Sequence, residues 1–476
     1  MDLNLNLLNF IGGAFVASES AKTFIKKSPF DGSDLSSVAQ SDAMDVIKAI
    51  QGSKKALQQI ENQTADDRAQ LLADFANHLE THADRYACLE ALHQGLPKSF
   101  VLENSIKVAI SHLRYNSQNL SQSLLVTQDG HLQPRPVGIV GIITPWSLSL
   151  RLVMERMAPA LAAGNVVILK VSELSPVTGQ IIGEALQAIQ ALPGLVQIIQ
   201  GGSDVAQIIA GHPSIRAVTA VGRGSSMAAI AKAGLAEFKK LQLSGGAKNS
   251  SIVLSDFDFK GRMSEVMKPF LLGQGQMCWN SSRLFVLESF QKEFMEALHT
   301  YMETLTPLSS PDGESVWTPL IAEDRMAMIS ERTQFGISEH GKSFWGIKPN
   351  EKRLDHPGFF VKPTVMIDLP NCSVMQQDEL HGPLILVTPV KYQHETFKWA
   401  NTSYLGHSGI VWGPEEKVQK VASKLECARV WENSWLSGQD GVLSNIIFGH
   451  KQSSFGNIDM AWNGSFYSDV KKLTGF

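Results

Sequence analysis

Cysteine is scarce in this chain. Its 476 residues contain four, Cys88, Cys278, Cys372 and Cys427, far apart and with no CxxC pair. That spacing excludes a disulfide framework and a structural zinc cluster. A basic excess is also missing: 42 Lys and Arg face 46 Asp and Glu, for a net charge of −4. Nothing is left over to neutralise a phosphate backbone, so nucleic acid is not an expected partner. The longest apolar run, Val137–Ile143, is far too short to cross a bilayer. The opening Met1-Asp2-Leu3-Asn4 has neither a basic leader nor a signal-like core. A cytoplasmic protein without a membrane partner is expected. The 13 histidines include no HExxH motif, and no metal is expected.

Hydrophobic residues make up 43% and charged residues 18%, the balance of a globular chain. Its length suits two or three domains with large cores. Residues 1–30 read as short extended pieces broken at Gly12-Gly13 and at Pro29-Phe30-Asp31-Gly32. From Ser41 to about Leu120 the apolar spacing is helical, with Ala43, Val46, Ile47 and Ile50 on one face and Ser41-Asp42 as the cap. Residues 122–136 alternate around Asp129-Gly130, a hairpin signal.

From Val137 the pattern changes. Strands are predicted at 138–143, 165–171, 195–199, 215–221 and 238–243. Helices fall between them at 151–163, 175–192, 204–210 and 225–234. Strand–helix alternation at this spacing means βαβ units and a parallel sheet covered on both faces, with ligands at the carboxyl ends of the strands. A second strand–helix series runs from Ser251 to about Asn433, with strands at 284–287, 384–387 and 409–412. The polar, alternating end from Ser465 to Phe476 reads as one extended strand.

Several segments carry residues suited to chemistry. In Gly273-Gln274-Gly275-Gln276-Met277-Cys278 two glycines free the backbone just ahead of a thiol. A cysteine on such a loop can face a cleft as a nucleophile, or can be a small buried hydrophobe, and the spacing is compatible with both. Lys170 ends an apolar strand and Glu173 follows three residues later. They read either as a surface lysine with a helix-capping carboxylate or as a pair aimed at a ligand, where the carboxylate could accept from ribose hydroxyls. Gly222-Arg223-Gly224-Ser225-Ser226 can expose N–H groups to a phosphate or can simply make a turn. His381, in the turn Asp378-Glu379-Leu380-His381-Gly382-Pro383, reads as structural.

Taken in order, these segments resemble the aldehyde dehydrogenase superfamily over nearly the whole chain. Asn9-Phe10-Ile11-Gly12-Gly13 with Ser28-Pro29-Phe30-Asp31-Gly32 is similar to the family's N-terminal INGxx…NPxxG. Thr144-Pro145-Trp146-Ser147 is similar to its TPWN segment and Lys170-Val171-Ser172-Glu173 to KPSE. Gly275-Gln276-Met277-Cys278, with Arg283 beyond it, resembles the GQxC nucleophile motif, and Glu379-Leu380-His381-Gly382-Pro383 resembles E-[IL]-F-G-P. Segments 360–365 and 448–453 match as well.

The resemblance implies an α/β fold with three parts. A Rossmann-like parallel-sheet nucleotide-binding domain would span 1–121 and 137–243, and a second α/β catalytic domain 244–445. A small oligomerisation β-element would come from 122–136 and 463–476, joining another subunit's sheet in a homodimer or homotetramer. It implies oxidation of a small-molecule aldehyde to a carboxylic acid through a cysteine thiohemiacetal and thioester. Cys278 would be the nucleophile. Trp146, Lys170, Glu173, Gly201, Gly222 and Glu379 would bind the cofactor, with Lys170 and Glu173 at the adenosine ribose and Glu379 at the nicotinamide ribose. A carboxylate at Glu173 repels a 2′-phosphate, which favours NAD over NADP.

Some positions depart from the family pattern. The general-base glutamate of ELGGK falls on Ser244 in a gapless register, or on Gln242 with a gap, and neither takes a proton as a carboxylate does. The oxyanion-hole amide becomes Ser147, whose hydroxyl reaches less far. The phosphate-contacting Gly-Ser becomes Val221-Gly222, and a later Arg-Glu pair becomes Asn457-Ile458. Three readings follow: an aldehyde dehydrogenase with another base, a relative that passes the acyl group to a thiol such as coenzyme A, and a catalytically silent homologue with a structural or binding role. Met277 and Trp279 beside the thiol suggest an apolar throat; the particular aldehyde is not legible.

Overall fold

A computed structural model describes residues 5–120, 132–347, 354–436, 449–456 and 463–472. Most of the hairpin expected at 122–136, Phe448, Asn457 and Ile458 lie outside them.

Five parallel strands form the centre of the first sheet: β1 (Ile139–Ile143), β2 (Val166–Lys170), β3 (Val196–Ile199), β4 (Ala217–Gly222) and β5 (Lys240–Gly245). Their order is β5-β4-β1-β2-β3. Antiparallel edges are added by Ser454–Phe455 beside β5 and by Asn9–Ile11 with Ala14–Val16 beyond β3. These are the strands predicted from the apolar runs. β1 and β2 are buried at every position because helices cover both faces. The connections travel outward from β1 to β3 and then return to place β4 on the other side of β1. The strand order therefore reverses between β1 and β4, where a doubly wound sheet opens its ligand crevice.

The second sheet has seven strands. Its centre is β6 (Asn249–Val253), β7 (Ser281–Leu287), β8 (Leu384–Val390) and β9 (Ser408–Trp412), in the order β8-β7-β6-β9 and all parallel. Gly246-Ala247-Lys248 alone connects β5 to β6. Leu132–Pro136 pairs antiparallel with Ser468–Lys472 as a two-stranded ribbon. Tyr467 anchors that ribbon to the first sheet, its carbonyl accepting from Val137 N at 3.2 Å and Asn165 Nδ2 at 2.9 Å.

Two local expectations change. The helix Ala43–Ile60 is capped by Asp42, which exchanges a capping box with Asp45, and its buried face is Val46, Ala49, Ile50, Ser53 and Ala56. Ile47 and Ala43 face solvent instead. The end of the chain is not one strand, because Asn463–Phe466 makes a helical turn before Ser468. His78 and His82 stand one helical turn apart with rings stacked at 4.3 Å, but among the described residues no group of three His, Cys, Asp or Glu could hold a metal. Nor is any helix among the described residues long and apolar enough to cross a membrane.

Candidate active site

A cavity of about 480 Å³ opens at the reversal point of the first sheet. Its floor is made by segments that leave the carboxyl ends of three parallel strands: Ile143–Ser147 after β1, Lys170–Leu174 after β2 and Val221–Arg223 at the end of β4. The second sheet supplies the opposite wall, with Gln276, Cys278, Glu379 and His381.

The thiol is held by a loop that cannot relax easily. Gly273, Gln274 and Gly275 all have φ between 51° and 67°, and a Cβ on Gly275 would collide with the carbonyl oxygen of Gly382. Asn280 then ties the loop from inside. Its Oδ1 accepts from Met277 N at 2.7 Å, and its Nδ2 donates to the carbonyls of Pro269 and Leu272. Asn249 Nδ2 donates to the carbonyls of Cys278 and Asn280. Arg283 plays a structural part, its guanidinium donating to the carbonyls of Lys248, Trp399 and Ala400.

Cys278 is half-buried and lines the cavity. Desolvation pushes its thiol up to about 12, with a smaller push from Glu379, while Arg151 and Arg156 pull the other way. These arginines stand on α1 (Ser149–Ala162), and Arg151 lies 4.3 Å over the Trp279 ring. The start of α1 is fixed by the buried Glu90 and Gln94, whose side chains accept from the N–H groups of Leu150 and Leu148. Ser147 therefore reaches the cavity from a pinned turn, 8% exposed.

At the other end of the cavity Lys170 Nζ lies 2.8 Å from Glu173 Oε2. Burial works against the Glu173 charge, but the Lys170 ammonium outweighs it and holds the carboxyl below its usual range. Glu379 is similar. Burial raises it, yet His381 Nε2 at 2.7 Å from its Oε2 and the Ala247 N–H on its Oε1 at 2.9 Å hold it below the ordinary value.

Trp146, Ser147, Lys170, Glu173, Gly222, Cys278 and Glu379 thus share one cavity. Ser244 and Gly201 are not among the residues that line it. Ser244 is 2% exposed and sits inside the sheet between Val221 and Ser454, while Gly201 packs against Val205 and Ser41. Gln242 also lies off the wall, its amide oxygen accepting from Thr219 at 3.0 Å. Three wall residues receive no role of their own from the sequence: Arg223, Arg325 and His381. Arg223 is visible there only as the middle of a glycine-rich turn.

The wall suits a dinucleotide. Thr144 Oγ1 is buried there without a hydrogen-bond partner. Gly222 projects no side chain from the floor, and a Cβ there would meet Met227 Cε at 3.1 Å. Arg223 and Arg325 bring positive charge to the mouth, each arginine facing the other's field.

A switch-point cavity with a thiol on one wall and the Lys170–Glu173 pair on the other defines the class, an α/β enzyme built to work on a small molecule beside a nucleotide. Residues 15–473 match the aldehyde dehydrogenase family, and the chain belongs to it. It is 28% identical over 480 residues to 2-hydroxymuconic semialdehyde dehydrogenase of a Pseudomonas species, covering 98% of each chain. The human 2-aminomuconic semialdehyde dehydrogenase is 28% identical over 490 residues, covering 99% of this chain and 98% of the relative. Among solved structures, the NAD+ complex of an aldehyde dehydrogenase from Bacillus cereus superposes with a TM-score of 0.90 at 25% identity, covering 99% of this chain and 96% of that one. The activity class is NAD(P)-dependent oxidation of an aldehyde to a carboxylic acid, with NAD as cofactor.

Proposed function

We propose that Cys278 is the nucleophile of this oxidation and that the switch-point cavity holds NAD. The carrying observation is that the thiol and the Lys170–Glu173 pair line one continuous cavity. Lys170 and Glu173 hold the adenosine ribose, Arg223 and the bare Gly222 floor receive the diphosphate, and Glu379 takes the nicotinamide ribose. Trp146 forms part of the same wall. NAD, when bound, supplies the acceptor for the aldehyde hydride.

The chain's own residues do the rest. Cys278 sulfur attacks the carbonyl carbon, its thiol proton passing through cavity water to the former carbonyl oxygen, and becomes a thiohemiacetal, with the Ser147 hydroxyl donating to the developing oxyanion. Arg151 and Arg156 offset the negative charge that forms at sulfur. After oxidation the acyl group rests on Cys278 as a thioester, and water releases it as the acid. We assign 1–121 and 137–243 to the nucleotide domain, 244–445 to the catalytic domain, and the 132–136 and 468–472 ribbon to subunit pairing in a homodimer or homotetramer. The free cysteines suit a reducing cytoplasm.

The test is a panel of aldehydes, led by muconic-type semialdehydes because relatives are named for them, followed by NADH absorbance. Cys278→Ala is expected to abolish turnover while NAD binding by calorimetry survives. Turnover retained in that variant overturns the assignment.

A further inference from the structure

The family's base position is Ser244, which is off the cavity wall, and so is Gln242. Yet a thioester on Cys278 needs a group to deprotonate water. The ionisable groups on the wall beside the thiol are few. Lys170 and Glu173 pair with each other at the ribose end. Arg223 and Arg325 present guanidinium groups, which are donors only. Glu379 is held ionised by its neighbours and is a weak base. His381 is left, and an imidazole is the side chain whose ordinary pKa lies closest to neutral.

Building on the assignment of Cys278 as nucleophile, we propose that His381 is the general base of deacylation. Its ring stands against a carboxylate in the cavity wall. Nε2 sits 2.7 Å from Glu379 Oε2, and the other carboxylate oxygen is fixed by Ala247 N–H at 2.9 Å. The pair is a close carboxylate–imidazole contact rather than an aligned hydrogen bond, and it places a negative charge beside the ring. His381 lines the same cavity as Cys278, and in the proposed step Nδ1 is the nitrogen that takes the proton.

The backbone is set for this role as well. His381 has φ 52°, a left-handed conformation that residues other than glycine rarely adopt. The turn is held there by Arg332, whose Nη1 donates to the carbonyls of Glu379, at 2.6 Å, and of Leu380. The next residue, Gly382, presents its carbonyl to Gly275 at a separation that excludes a Cβ. The histidine turn and the cysteine loop are therefore packed backbone to backbone.

The step is balanced. A water oxygen attacks the thioester carbon and gives its proton to Nδ1. The tetrahedral adduct collapses, the C–S bond breaks, and the Cys278 thiolate leaves and recovers the proton from the imidazolium. A carboxylic acid departs, with no electrons exchanged.

An activated ester reaches the same acyl-enzyme without nucleotide, so the test uses p-nitrophenyl acetate and follows p-nitrophenolate. The wild-type chain should give a burst, then steady turnover. His381→Asn, which tolerates the left-handed backbone, and His381→Gln should keep the burst and lose steady turnover by about 10²–10⁴-fold. Intact-mass measurement should then show an acetyl adduct accumulating on Cys278, and added imidazole should restore turnover in His381→Ala. Matched melting curves confirm folded variants. A folded variant that deacylates at the wild-type rate overturns the proposal, as does one that loses burst and turnover together. A wild-type chain with no burst removes the nucleophile instead, and this base with it.

Discussion

Alkylation of Cys278 in the free protein should be slow, and by a calculable amount. Burial pushes the thiol up to about 12, against about 8.5 for an exposed cysteine, so near neutral pH its thiolate fraction is lower by roughly 3 × 10³. A more basic thiolate is the better nucleophile. With a Brønsted slope of about 0.4–0.5 that recovers roughly 25–50-fold. The net expectation is alkylation by iodoacetamide about 10² slower than at an ordinary exposed cysteine. The chain carries its own reference in Cys372, which is exposed. Peptide mass spectrometry after timed quenching reads both sites in one sample. The rate at Cys278 should also keep climbing about tenfold per pH unit through pH 10, where an ordinary thiol has levelled off. Equal rates at the two cysteines near neutral pH, or a plateau at Cys278 below pH 9, would refute the reasoning that desolvation governs this sulfur.

Three further outcomes are expected. Ser147→Ala should slow acylation of Cys278 by up to about 10²-fold while leaving NAD affinity unchanged, because a single oxyanion donor is lost; stopped-flow burst rates check it. Glu173→Gln should raise the KM for NAD and narrow the preference over NADP, since the carboxylate that repels a 2′-phosphate is gone; paired kinetics with both cofactors decide it. Lys26 is 4% exposed and donates to the Ile321 carbonyl, and burial lowers it to about 7. The unfolded chain then binds the extra proton between about pH 7 and 10.5, so stability rises with pH across that window, by about 2 kcal/mol from pH 7 to 9 for this group. Urea titrations at the two pH values should show that increment in the wild type and its loss in Lys26→Met.

The sheet that carries the cavity is legible because its strands are short apolar runs, buried on both faces and separated by helical spacing. Ile139–Ile143 and Val166–Lys170 are the plain examples. Periodicity is less reliable on a one-sided helix. Ile47 fits the apolar face by spacing but faces solvent, since the helix is rotated to bury Val46, Ala49 and Ser53. At the chain end, polar alternation conceals the helical turn Asn463–Phe466. The site divides along similar lines. Residues at strand ends, such as Lys170, can be placed from topology alone. Ser244 and Gly201 also stand at strand ends, yet pairing with Ser454 and packing on Val205 keep them off the wall. His381 reads as structural in the sequence because its tie to Glu379, two residues away, exists only once the backbone turns left-handed.

The chain crosses from one sheet to the other in three residues, and the amide of the middle one, Ala247, grips the Glu379 carboxylate. A strap that short has no slack. The same strap is held on either side, by Ser453 on the Gly246 carbonyl and by Arg283 on the Lys248 carbonyl, so the Ala247 amide is fixed where it meets the carboxylate. In the proposed site, the residue assigned to the ribose and the proposed proton acceptor therefore both lie against the connection between the two sheets.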